Sequence, residues 1–147
     1  MITIERTGLK LRHAPAWLQQ HGQDTRQLLQ ALNSGLSWQQ LVVTVYGKQH
    51  PTPRLTCWVA DPGCSYRYSG LQQSIHPWTA ELSGLRQLLH DQLGVDFNSL
   101  LLNRYRHGAD RMGWHADDES ELDDQAPIAS LSLGVSRDLR FRPRRGG

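Results

Sequence analysis

Lysine is almost missing from this chain: of its 16 basic residues only Lys10 and Lys48 are lysine, and the other 14 are arginine. Arginine's planar fork suits bidentate recognition of phosphate or carboxylate, and a net charge of only +2 excludes a polycation held to nucleic acid by charge alone. Cysteine is equally scarce. Cys57 and Cys64 have no closely spaced Cys/His pairs around them of the kind a zinc site draws on, so they read as reduced thiols. No stretch approaches the roughly 18 apolar residues of a membrane span. Met1-Ile2-Thr3-Ile4-Glu5-Arg6 lacks the charged start, apolar core and cleavage site of a secretory signal, which makes a cytoplasmic setting the expectation. Internal repeats, low-complexity tracts and long linkers are absent too, and 147 residues fit a single domain. What the chain does have is unevenly spread charge. Asp117, Asp118, Glu119, Glu121, Asp123 and Asp124 form an acidic run between two arginine-rich regions.

Local patterns divide the chain into early helices and later strands. Asp24 is placed to cap a helix carrying Leu28, Leu29 and Leu32 on one face, with Gly35 to stop it. Trp78, Leu82, Leu85, Leu89 and Leu93 step by helical spacing from Thr79 to Gly94 and predict a second, longer helix. Strands are predicted at Met1 to Arg6, Gln40 to Tyr46, Arg54 to Ala60, Ser65 to Ser69, Phe97 to Tyr105, Arg111 to Asp117, Ile128 to Val135 and Asp138 to Arg142. Asp61-Pro62-Gly63 and His107-Gly108-Ala109-Asp110 read as turns. The sum is an α+β domain with a sheet or sandwich core.

The sharpest chemical feature is Trp114-His115-Ala116-Asp117-Asp118-Glu119. Residues two apart on a strand share a face, so His115 and Asp117 would offer one imidazole and one carboxylate to a single ion. That is two corners of a 2-His-1-carboxylate triad, which leaves positions on iron(II) open. By themselves the residues also admit a solvated strand end, or a hydrolytic or structural metal site.

The flanking residues resemble the AlkB family of iron(II)- and 2-oxoglutarate-dependent nucleic-acid dealkylases, its DNA-repair members in particular. Phe97 to Tyr105 is similar to the strand that supplies an Asn and a Tyr to 2-oxoglutarate. Trp114 to Glu119 is similar to the metal-ligand segment, and Ile128 to Gly134 with Arg137 and Phe141-Arg142 to the next two strands. Pro53-Arg54 and Tyr66-Arg67-Tyr68-Ser69-Gly70 resemble the nucleotide-recognition lid. The resemblance implies a partial double-stranded β-helix, or jelly roll, with N-terminal helices and strands packed on it. It divides the one domain into an extension and lid over residues 1–76 and the first part of the core over 77–147. It assigns His115 and Asp117 to iron as catalytic ligands, and Asn103 and Tyr105 to 2-oxoglutarate. Tyr46, Arg54, Tyr66, Tyr68, Ser69, Asp118 and Glu119 would contact nucleic acid, with Tyr68 and the His115 ring clamping an extruded base and Tyr46 entering the gap it leaves. Arg54, Arg67, Arg104, Arg106 and Lys48 would meet phosphates. The implied activity is oxidative demethylation of N-alkylated bases in DNA, or RNA, with the methyl group lost as formaldehyde.

The resemblance breaks at the C-terminal end. The family's second metal His and its two co-substrate arginines belong to strands beyond the one matched by Phe141-Arg142, and no His follows His115. The sequence therefore reads as lacking the C-terminal part of the catalytic domain, with an oligomer or a missing segment completing the barrel. The alternative is a catalytically silent homologue that only binds nucleic acid.

Overall fold

The computed structural model describes residues 1–64, 67–68, 71–72, 74–118 and 125–144, with backbone alone at 67–68 and 71–72. These divide into two compact units, one formed by Met1–Asn33 with the segment from Ala129 onward, the other by Ser34–Ile128. The boundary expected at residues 76 and 77 falls inside the second unit.

In the first unit, β1 (Ile2–Arg6) pairs antiparallel with β2 (Leu9–His13), in a register that sets Ile4 opposite Leu11 and Glu5 opposite Lys10. Alternation puts Ile2, Ile4, Leu9 and Leu11 on one face, and Thr3, Glu5, Lys10 and Arg12 on the other. A short helix α1 (Trp17–Gln20) precedes α2 (Thr25–Gly35). Asp24 Oδ1 accepts from the backbone N–H groups of Arg26 and Gln27 at 3.1 and 3.0 Å, satisfying donors that a helix start leaves unpaired. Leu18, Leu28 and Leu32 are the buried side chains here. A Cβ on Gly134 would lie 3.3 Å from Leu29 Cδ2, so that glycine marks a close backbone approach to α2.

The second unit opens with a hairpin of β3 (Val42–Val45) and β4 (Lys48–Pro51). Its two turn residues, Tyr46 and Gly47, have φ of 49° and 74°, the backbone of a type I′ turn. A three-stranded sheet follows, ordered β8 (Ile75–His76), β5 (Leu55–Ala60), β9 (Ser99–Arg104), with β5 parallel to β8 and antiparallel to β9. As the central strand, β5 is buried along Thr56 to Ala60, which explains a run of apolar residues without clean alternation. β6 (Arg67–Tyr68) and β7 (Leu71–Gln72) form another small ladder. α3 (Ala80–Leu93) starts where Thr79 Oγ1 accepts from Leu82 N and ends at Gly94 with φ 67°. Leu82 and Leu85 are its buried residues. Asp61 ties this helix to the end of β5, accepting from Trp78 Nε1 at 2.9 Å and from Arg86 Nη1 at 2.8 Å.

Three expected strands are corrected by the structure: residues 111–117, 128–135 and 138–142 are irregular. Alternating side chains mark which residues would share a face, but a strand exists only where a neighbour supplies N–H and C=O partners, and no described segment does so for these three. Ile128, Val135, Leu139 and Phe141 are accordingly exposed. The expected jelly-roll barrel is likewise not closed among the described residues, whose ladders comprise three two-stranded pairs and the three-stranded sheet. No described helix is long and apolar enough to cross a membrane. Both cysteines are free thiols, Cys57 buried and Cys64 half-buried.

Candidate active site

The site grows from one end of the β5–β9 pair. Thr56 lies opposite Asn103 and Trp58 opposite Leu101, and alternation puts Ala60, Trp58 and Thr56 on the same face as Leu101 and Asn103. The face is apolar at one end, where Trp58 and Ala60 pack with Leu101 and Cys64. It turns polar at the other, where Arg54 Nε donates to Asn103 Oδ1 at 2.9 Å. Arg54 is only 3% exposed. That burial corrects its expected role as a phosphate contact, since a guanidinium meeting a phosphate has to reach the surface. Tyr105 follows two residues after Asn103 and is half-buried.

After Tyr105 the chain turns sharply, and Asp110 organises the turn. Its carboxylate accepts from Arg106 Nε at 2.8 Å, Arg106 Nη2 at 3.0 Å and the Arg106 backbone N–H at 2.9 Å, while remaining 2% exposed. The Arg106 side-chain hydrogen bonds, then its backbone N–H, hold the Asp110 carboxyl far below the usual carboxylate range, and Arg106 is raised in turn. The guanidinium is thereby held to the turn through Nε and Nη2. The next residue closes the arrangement: Arg111 N donates to Pro53 O at 2.8 Å, stapling the start of the segment that carries His115 and Asp117 beside the entry to β5.

Beyond the staple, His115 and Asp117 come together although the segment is no strand. Their Nε2 and Oδ1 atoms are 3.4 Å apart, and both side chains are about half exposed. His115 Nδ1 lies 2.9 Å from Gly113 O. A carbonyl only accepts, so Nδ1 carries a hydrogen and Nε2 is left facing the carboxylate. At that distance the two groups can share a proton or a cation. Two ligands at about 2.1 Å on adjacent positions of one ion stand roughly 3 Å apart, so the pair fits a shared metal with little movement. Nitrogen plus carboxylate oxygen is a donor set that iron(II) accepts, and the backbone bond to the far ring nitrogen fixes the imidazole as metal sites commonly do. Among the described residues no third His, Cys, Asp or Glu joins them.

The expected nucleic-acid residues are distributed more widely. Tyr46 stands fully exposed at the tip of the β3–β4 hairpin, beside Lys48, also exposed. Asp118 is exposed immediately after the ligand pair. Tyr68 belongs to β6. Tyr66, Ser69 and Glu119 lie outside the described residues. Arg104 sits with its guanidinium carbon 5.9 Å from the Trp38 ring centroid. Sequence reasoning missed Asp110 and the partnership of Arg54 with Asn103. The first had a signal, the i, i+4 spacing of Arg106 and Asp110; the second joins residues 49 positions apart and had none.

The profile of the 2OG-Fe(II) oxygenase superfamily matches residues 10–147. The chain belongs to that superfamily. Within it the chain is an AlkB-family member: it is 44% identical over 100 residues to the human protein named DNA oxidative demethylase ALKBH2, a match that covers 68% of this chain and 38% of the relative. The Arabidopsis thaliana protein of the same name is 35% identical over 120 residues, covering 78% and 38%. The rat alpha-ketoglutarate-dependent dioxygenase alkB homolog 3 is 35% identical over 116 residues, covering 78% and 39%. The matches thus span less than half the length of each of these AlkB-family relatives.

Proposed function

We propose that this chain serves oxidative demethylation of N-alkylated bases in DNA, as an iron(II)- and 2-oxoglutarate-dependent dioxygenase of alkylation repair. The observation that carries the reading is the convergence of His115 Nε2 and Asp117 Oδ1, with the other ring nitrogen committed to Gly113 O. Names of the relatives support the same chemistry. When bound, iron(II) with oxygen and 2-oxoglutarate supplies the oxidising power, and the chain supplies position.

His115 and Asp117 hold the metal. Asn103 and Tyr105 donate to the carboxylate of 2-oxoglutarate through an amide N–H and a phenol O–H, which bind an anion without adding charge. A methyl group on a base's pairing edge is out of reach inside a duplex, so the base leaves the stack. Tyr46, on its projecting hairpin, fills the gap. Tyr68 and the His115 ring flank the extruded base, Tyr66 and Ser69 line its edge, and Asp118 and Glu119 favour a cationic methylated base. Lys48 and Arg67 meet the backbone. The jelly roll is the framework in this reading, and Ile128, Leu139 and Phe141 are core positions of it that further strands, or a second copy, would cover. A cytoplasmic setting accords with two free thiols.

The test is succinate release and formaldehyde formation by the intact chain with iron(II), 2-oxoglutarate and methylated single-stranded DNA. Turnover that disappears in His115→Ala is expected; undiminished turnover in that variant contradicts the assignment. A second reading is favoured by the ligand set, which among the described residues stops at two: a silent homologue that binds nucleic acid in a salt-dependent way without turnover. Succinate release by wild-type protein rules it out.

A further inference from the structure

We infer that Arg54 is a positioning residue for the co-substrate, acting through Asn103: it fixes which way round the Asn103 amide lies, so that the amide's donor end is presented to 2-oxoglutarate. This rests on the proposed role of Asn103 and goes beyond it, because it assigns to Arg54 a task inside the site. An amide has an accepting end and a donating end of nearly equal size, and an Asn on a strand can present either. Only the donating end binds a carboxylate. The choice is made by the neighbour. Arg54 Nε–H is a donor with no accepting capacity, and it lies 2.9 Å from the amide oxygen, so the flipped amide would set donor against donor.

The framework holds Arg54 in place for this. Its backbone N–H donates to Thr52 O at 2.9 Å, its carbonyl accepts from Thr52 Oγ1 at 3.4 Å, and its neighbour Pro53 receives Arg111 N at 2.8 Å. Thr52 is as buried as Arg54, at 4% and 3% exposure. Thr56 faces Asn103 across the ladder, so the amide hangs from a strand pair whose register is set. Arg54 therefore reaches Asn103 from a fixed base, along the same sheet face.

Two substitutions separate orientation from charge. In Arg54→Gln the amide nitrogen falls where Nε was, keeping a donor for Asn103 Oδ1 while removing the positive charge; Arg54→Met places a methyl group there and keeps neither. Titration of 2-oxoglutarate into the full chain with manganese(II), followed calorimetrically, should show Arg54→Met weakened roughly tenfold, the scale of one net hydrogen bond, and Arg54→Gln within about threefold of wild type. The Asn103 side-chain amide signals in a nitrogen–proton correlation spectrum of the unliganded protein should move in Arg54→Met and stay near their wild-type positions in Arg54→Gln. A merely structural role would lower thermal stability in both variants and leave the difference between them in affinity and amide shift at zero, which overturns the inference. So would equal weakening in the two variants, since charge would then be the cause. Failure of the underlying reading shows elsewhere, as absence of 2-oxoglutarate binding by wild-type protein, and takes the inference with it.

Discussion

Asp110 organises the turn between β9 and the segment that carries His115 and Asp117. Three hydrogen bonds from Arg106 converge on one buried carboxylate, and His107 Nε2 stands 3.8 Å away. A carboxyl group held below the ordinary aspartate value of about 3.9 contributes stability that is complete above that value and is lost as pH falls through the folded-state value. Thermal midpoints followed from neutral pH downward should drop steeply in the acid limb. Asp110→Asn, which keeps the shape and loses the charge, should begin lower and show a flatter limb; the same slope in both proteins would count against Asp110 as the titrating group. The one signal in the sequence is the i, i+4 spacing of Arg106 and Asp110, in a motif where Asp110 reads only as the last member of a turn. Its importance comes from folding back onto Arg106 and from the Arg111–Pro53 staple that follows.

Elements differ in how far they announce themselves. α2 and α3 were legible because their signals are local: Asp24 and Thr79 satisfy N–H groups two and three residues away, and Gly94 adopts the positive φ that ends a helix. Thr79→Ala should therefore cost about 1 kcal/mol, read as a lowered denaturation midpoint at unchanged slope, and Leu82→Ala about 2–5 kcal/mol because Leu82 is fully buried. Strands were harder in both directions. β2 and β4 were missed, since Lys10, Arg12, Lys48, Gln49, His50 and Pro51 have weak strand preference and pair only because a tight turn delivers them to a neighbour. Residues 128–135 have the right alternation and no strand partner among the described residues. The Arg54–Asn103 contact belongs to the same class, a product of β5–β9 register that no spacing within either segment encodes.

At the scale of the whole molecule, the described residues of the proposed site lie in the unit formed by Ser34–Ile128. A metal that binds only the folded state stabilises it by mass action, by about 2.7 kcal/mol when present at a hundredfold its dissociation constant. Adding manganese(II) should accordingly raise the thermal midpoint of wild-type protein by several degrees, and a chelator should reverse the gain. His115→Ala should show neither change. A full response in that variant would place the ion elsewhere.

Tyr46 occupies a left-handed backbone conformation at the hairpin tip, where asparagine ahead of Gly47 would sit comfortably and an aromatic residue costs on the order of 1–2 kcal/mol. Replacing it with asparagine should make the ribbon sturdier while removing the ring that the proposed function uses as a wedge. Under the proposed function, a ring kept where the chain would rather not have it, fully in water, is a tool whose handle has been compromised for its edge.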